Sequence, residues 1–170
     1  MATWEQPREN SIAALQHGME FSDGVEFDLK LSNDGEFVIY HDELLPGTAP
    51  KTERCIEMLG TDELRSRGVA TFDELLSERR YTEAWQAGGK TANIEFKMPH
   101  PIANIEADEQ LRSMMGVLEH KLEPFDLPDR SALVYSFSPR IGPVAKSSGF
   151  GMPITRLMPH LRPWGDWNVK

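Results

Sequence analysis

Strand-like and helix-like patterns take turns along this chain, and that alternation excludes most folds before any single residue is weighed. Asn10 or Ser11 can cap a helix running to about Glu20, with Ile12, Leu15 and Met19 on one side. Gly24 then opens VEFDLKLS, in which Val25, Phe27, Leu29 and Leu31 alternate with Glu26, Asp28 and Lys30 in a strand period. The turn Asn33-Asp34-Gly35 ends it, and residues 37–40 form a second short strand, apolar on both faces. A loop rich in proline and glycine covers residues 43–52. Helices are predicted at 61–67 and 71–87, the latter with Phe72, Leu75 and Leu76 as its apolar stripe. Residues 92–96 read as a strand, 105–122 as an amphipathic helix, 132–137 as a strand, 139–147 as a helix and 153–158 as a last strand. Strands separated by helices imply parallel pairing through right-handed crossovers, an α/β fold. One pair breaks the rule. The link between 26–31 and 37–40 is too short for a crossover of about a dozen residues, and its length suits a hairpin.

With 170 residues the chain is long enough for a single domain with a real core, taken as residues 1–170. A formal charge of -9 argues against a nucleic-acid partner, because duplex binding needs a basic surface. Cys55 is the one cysteine, so no internal disulfide can form and a reducing compartment is the simpler setting. No apolar run of about 18 residues and no secretory pattern appear, so a soluble, cytoplasmic protein without membrane insertion is expected.

The chemistry begins at Glu26-Phe27-Asp28. Side chains at i and i+2 of a strand share a face, so the two carboxylates stand together. Held close, they repel, and one takes up a proton unless a cation sits between them. A hard divalent cation with oxygen ligands is the natural occupant; the plainer alternative is the wet face of an edge strand. His41-Asp42 follows the strand FVIY, where a histidine at the C-terminal end can shuttle protons near neutral pH. In Asn93-Ile94-Glu95-Phe96-Lys97 the same spacing puts a carboxylate and an ammonium on one face, for a metal and a phosphate oxygen, or simply as an exposed ion pair.

Together, Pro7-Arg8-Glu9-Asn10-Ser11, Glu26-Phe27-Asp28, Asp34-Gly35, His41-Asp42 and Asn93-Ile94-Glu95-Phe96-Lys97 resemble the signature of the glycerophosphodiester phosphodiesterase family, in order and spacing. Residues 70–78, ATFDELLSE, and the trio Tyr135-Ser136-Phe137 extend the resemblance. It implies a (β/α)8 TIM-barrel type fold with catalytic groups at the C-terminal strand ends. It further implies one divalent cation, Mg2+ or Ca2+, bound by Glu26, Asp28 and Glu95, with Glu9 as a fourth ligand or just behind one. His41 becomes an acid/base histidine, Lys97 a holder of a phosphate oxygen, and the partner a small-molecule glycerophosphodiester.

Members of that family begin with a strand ending in His-Arg-Gly, and here the chain opens at Met1-Ala2-Thr3-Trp4 where that motif would just have ended. The expectation is therefore an incomplete barrel, lacking its first and last two strands, with residues 159–170 trailing off and poor or no turnover by these residues alone. His17, His100, His120 and His160 read as helix or loop residues. Two other outcomes stay open: a non-catalytic remnant that keeps the site as a binding module, and a relative like sphingomyelinase D or a phosphatidylinositol lyase.

Overall fold

A computed structural model describes residues 6–158 of the chain. The opening residues, His160 and the segment expected to trail off lie outside the described residues. Helix α1 (Ile12–Phe21) starts at Ser11, whose hydroxyl accepts the Ala14 amide at 3.2 Å, and it buries Leu15 and Met19. Strand β1 (Gly24–Leu31) follows. A methyl group at Gly24 would stand 2.0 Å from the Thr91 carbonyl oxygen, so this close approach accepts only glycine.

The short link resolves as a hairpin. Strand β2 (Phe37–Ile39) pairs antiparallel with β1, with Leu29 opposite Ile39 and Leu31 opposite Phe37. Gly35, at φ +81°, supplies the left-handed turn residue. Beside it, Asp34 accepts hydrogen bonds from Ser32 and from the amide and hydroxyl of Thr61. These donors, Ser32 foremost, hold the Asp34 carboxyl down at about 2. Asp34 thereby caps helix α2 (Thr61–Ser66), whose own cap position is Gly60, from across the hairpin.

The single helix expected over 71–87 is two. After the two-residue strand β3 (Ala70–Thr71), α3 (Phe72–Ser77) ends at Glu78, which is extended and starts α4 (Arg79–Gln86). The break has a packing cause. At about 100° per residue, Tyr81 would fall on the opposite side of a continuous helix from Phe72. One extended residue swings the second helix round, so that Tyr81 and Trp85 join Phe72 and Leu75 in the core. Thr71 and Glu74 close a capping box on α3.

The remaining elements are β4 (Thr91–Phe96), α5 (Ala107–Leu122), β5 (Ala132–Ser136), α6 (Ile141–Ser148) and β6 (Ile154–Arg156). The sheet runs β3-β2-β1-β4-β5-β6, antiparallel from β3 to β1 and parallel from β1 to β6. One face is apolar. Phe27, Leu29, Ile94, Phe96 and Val134 are fully buried there together with α1 and α3 to α6. Phe37 links Phe72 and Phe96, at ring separations of 6.1 and 6.0 Å.

The other face of the hairpin carries a second, smaller core: Val38, Tyr40, Leu45, Ile56, Leu59, Leu64 and Val69. It encloses Lys30, 1% exposed, whose ammonium lies 3.4 Å from the buried Glu57 carboxylate. Cys55 donates its thiol to the other Glu57 oxygen at 3.1 Å, and burial with this acceptor pushes the thiol up to about 11. The plainer alternative of a wet edge-strand face over Glu26, Asp28 and Lys30 therefore fails at Asp28 and Lys30, which are buried because β1 is an inner strand. Breaking a buried pair by removing one partner is costly, while replacing both with apolar groups is not. Lys30→Met is thus expected to lower unfolding stability by about 3–5 kcal/mol in a urea titration, and Lys30→Met with Glu57→Leu to recover most of it.

Candidate metal centre

Where β1, β4 and β5 lie side by side, the sheet register sets charged groups in adjoining rows. Asp28 is opposite Glu95, and Glu95 is opposite Tyr135. Because alternate residues share a face, Glu26 and Asp28 of β1, Asn93, Glu95 and the following Lys97 of β4, and Tyr135 of β5 stand together, away from the main core. One carboxylate oxygen from each of Glu26, Asp28 and Glu95 lies within 4.8 Å of the others. Among the described residues this is the one such gathering of three acidic, histidine or cysteine side chains.

The Lys97 ammonium sits 3.0 Å from Glu95 and 3.4 Å from Asp28. Burial opposes its charge, but the hydrogen bond to Glu95 and both carboxylates overcome that and raise its pKa. Three carboxylates against one ammonium leave two negative charges uncompensated. Burial foremost, then neighbouring carboxylates, raise Glu26 despite the Tyr135 hydrogen bond. Burial also raises Glu95, with Lys97 opposing and Asp28 adding to it. A cluster of hard oxygen donors short by two positive charges suits a divalent cation.

The sequence-predicted residues divide into those drawn together and those that stand apart. Glu26, Asp28, Glu95 and Lys97 converge. His41 and Glu9 line a neighbouring cavity of about 260 Å³ whose wall includes Glu26 and Asp28. The His41 side chain is 59% exposed, with Nδ1 3.0 Å from the Asp42 carboxylate. Glu9 is exposed and outside the converging trio. His17 lies on α1 with its ring against Phe21. Nδ1 of His100 accepts the Ile102 amide, and His120 is exposed on α5.

Two participants escaped sequence reasoning. Asn10 donates its amide to Asp28 Oδ2 at 2.8 Å and accepts the Asp28 backbone amide at 3.3 Å, so the helix-capping segment also clamps a carboxylate. Its backbone, at φ +52°, is in the left-handed region that asparagine tolerates. Tyr135 donates its hydroxyl to Glu26 Oε1 at 2.5 Å. Neither residue type announces such a role; the strand register brings Tyr135 to Glu26, and the packing of the segment before α1 brings Asn10 to Asp28. In the adjoining Ser136-Phe137, the serine ties β5 to β4 by donating to the Phe96 carbonyl at 2.7 Å.

Residues 2–145 match the model of the glycerophosphoryl diester phosphodiesterase family. Solved structures share the fold. A glycerophosphodiester phosphodiesterase from Thermotoga maritima is 20% identical with a TM-score of 0.62, over 90% of this chain and 57% of that one. One from Parabacteroides distasonis is 22% identical with a TM-score of 0.69, over 93% and 62%. A phosphodiesterase from Oleispira antarctica, in complex with the product sn-glycerol-3-phosphate, is 23% identical with a TM-score of 0.61, over 89% and 60%. The chain thus spans about three fifths of the length of these structures, and its mixed sheet is part of a TIM-type barrel. No curated protein matches the sequence. No helix among the described residues is long and apolar enough to cross a membrane.

The raised carboxylates set a pH signature. Their protonated forms are favoured in the fold, so their contribution to stability is full below the ordinary value of about 4.5 and is lost as pH rises through the raised values. A divalent cation binds the ionised trio and has the opposite dependence. Added Ca2+ is expected to raise the thermal midpoint at about pH 7 and to do far less at about pH 4. Equal shifts at both would contradict the site.

Proposed function

The chain belongs to the glycerophosphoryl diester phosphodiesterase family, and from that premise we propose that its carboxylate cluster serves a metal-dependent hydrolysis of glycerophosphodiesters to sn-glycerol 3-phosphate and an alcohol. The observation that carries this reading is the convergence of Glu26, Asp28 and Glu95 on one side of the sheet. The product complex of the Oleispira antarctica phosphodiesterase supports the substrate class. Lone, buried Cys55 supports a reducing, cytoplasmic setting.

In this proposal Glu26, Asp28 and Glu95 hold the cation, Mg2+ or Ca2+, with Glu9 on the cavity wall as a fourth ligand or a support behind one. The bound cation supplies positive charge where the phosphodiester and its transition state are negative. Lys97 adds a second, fixed positive charge for a non-bridging phosphate oxygen, its ammonium kept protonated by Glu95 and Asp28. His41 moves the proton. With Nδ1 engaged by Asp42, Nε2 is the nitrogen left to exchange one with the reacting hydroxyl. The family resemblance implies that this hydroxyl is first the substrate's own glycerol oxygen, which bonds to phosphorus as the P–O bond to the alcohol breaks and the alcohol leaves with a proton, giving a cyclic phosphate that water then opens.

The test is release of glycerol 3-phosphate from a glycerophosphodiester with Mg2+ or Ca2+, in the chain and in a version extended to the length of its relatives. Release should stop on chelation. His41→Ala should reduce turnover by about 10²–10⁴-fold while leaving cation affinity near its original value. Undiminished turnover would move the proton transfer to another residue, and release that survives chelation would exclude metal-dependent hydrolysis.

A further inference from the structure

The three clustered carboxylates are not held alike. Asp28 is buried, gripped by the Asn10 amide at 2.8 Å and by Lys97. Glu95 is buried and bonded to Lys97 at 3.0 Å. Glu26 is the most exposed of the three as a residue, although protein crowds its carboxyl end, so its side chain has rotamer freedom to lose when it is fixed in one orientation. It accepts a hydrogen bond from Tyr135, two strands away, with β4 between them. Neighbouring strands stand about 4.8 Å apart, so the tyrosine and glutamate side chains together bridge roughly 10 Å of sheet, over the row that carries Asn93 and Glu95.

Resting on the metal-dependent reading above, we propose that Tyr135 is a positioning residue of the cation site, its hydroxyl holding the Glu26 carboxylate in the orientation in which it ligates. The tyrosine suits the task. The residue is 9% exposed and seated on an inner strand, and its ring is set by only two side-chain torsions. At 2.5 Å its hydroxyl makes a short, charge-assisted bond to Glu26 Oε1. A carboxylate offers about four lone-pair sites, so accepting one hydrogen bond leaves others for a cation. Partners behind a metal ligand act this way, fixing its direction without touching the ion.

Isothermal titration of Ca2+ into the full chain, in original and Tyr135→Phe forms, tests the assignment. Tyr135→Phe keeps the ring, so circular dichroism and the cation-free thermal midpoint should stay close to the original, while Ca2+ affinity falls by about 10–100-fold. In a Glu26→Gln background the same change should cost little further affinity, since the group it orients no longer ligates as a carboxylate. That second measurement separates positioning from general structural support, and it reads out even where Tyr135→Phe melts lower. A loss of the same size in both backgrounds, or Tyr135→Phe affinity equal to the original, overturns this assignment and leaves the metal-dependent reading standing. An original chain that binds no Ca2+ or Mg2+ overturns that reading and this assignment with it.

Discussion

Strands in a sheet stand about 4.8 Å apart, and here the position opposite Asp28 on the neighbouring strand is Glu95. That single registration forces two carboxylates together on one face, with Glu26 one step back along β1. Coulomb repulsion in a half-buried place is severe, and the fold answers it with Lys97 rather than by moving the strands apart. The ammonium covers part of the deficit, and burial first, with the neighbouring carboxylates adding to it, keeps the carboxyls of Glu26 and Glu95 raised. A slip of one residue would turn Glu95 to the apolar face and Ile94 to the site, so the register is defended by everything packed beneath it. Gly24 is part of that defence, since it lets the start of β1 meet Thr91.

Along β1 three polar residues share a face and meet three environments. Glu26 is exposed, Asp28 is buried between Asn10 and Lys97, and Lys30 is buried against Glu57. The third belongs to a different structure: the hairpin and the segment after it fold over the sheet around their own small core. His41 and Asp42 leave the strand just as that segment begins, so the position of the histidine depends on how firmly it is seated. The Lys30–Glu57 pair, with the Cys55 thiol behind it, joins the segment to the strand that carries the carboxylates.

The opposite face supplies rigidity. Helices α1 and α3 to α6 bury the alternate side chains of the same strands, and Trp85 donates its indole N–H to the Ser131 carbonyl at 2.8 Å, tying α4 to the start of β5. Similarity to solved structures establishes this scaffold, while chemistry resides in the few side chains mounted on it.

Much of this was legible in the chain. Periodicity located the strands bearing Glu26, Asp28, Glu95 and Tyr135, and the i, i+2 spacing placed Glu26 with Asp28 and Glu95 with Lys97. The chain also narrowed the start of α1 to Asn10 or Ser11, of which Ser11 caps it, because helix caps and strand alternation are written in neighbouring residues. The break at Glu78 was not readable, since either half fits a helix and only the shared core demands that Tyr81 turn inward. Nor was the burial of Lys30, because alternation reports that a strand has two faces and not what covers the second. The contacts of Asn10 with Asp28 and of Tyr135 with Glu26 join residues 18 and 109 positions apart. The sequence by itself thus determined which groups each strand carries and how they alternate. Tertiary structure alone decided which strand lies beside which and in what register, because pairing between distant segments depends on packing across the sheet and leaves no period along the chain.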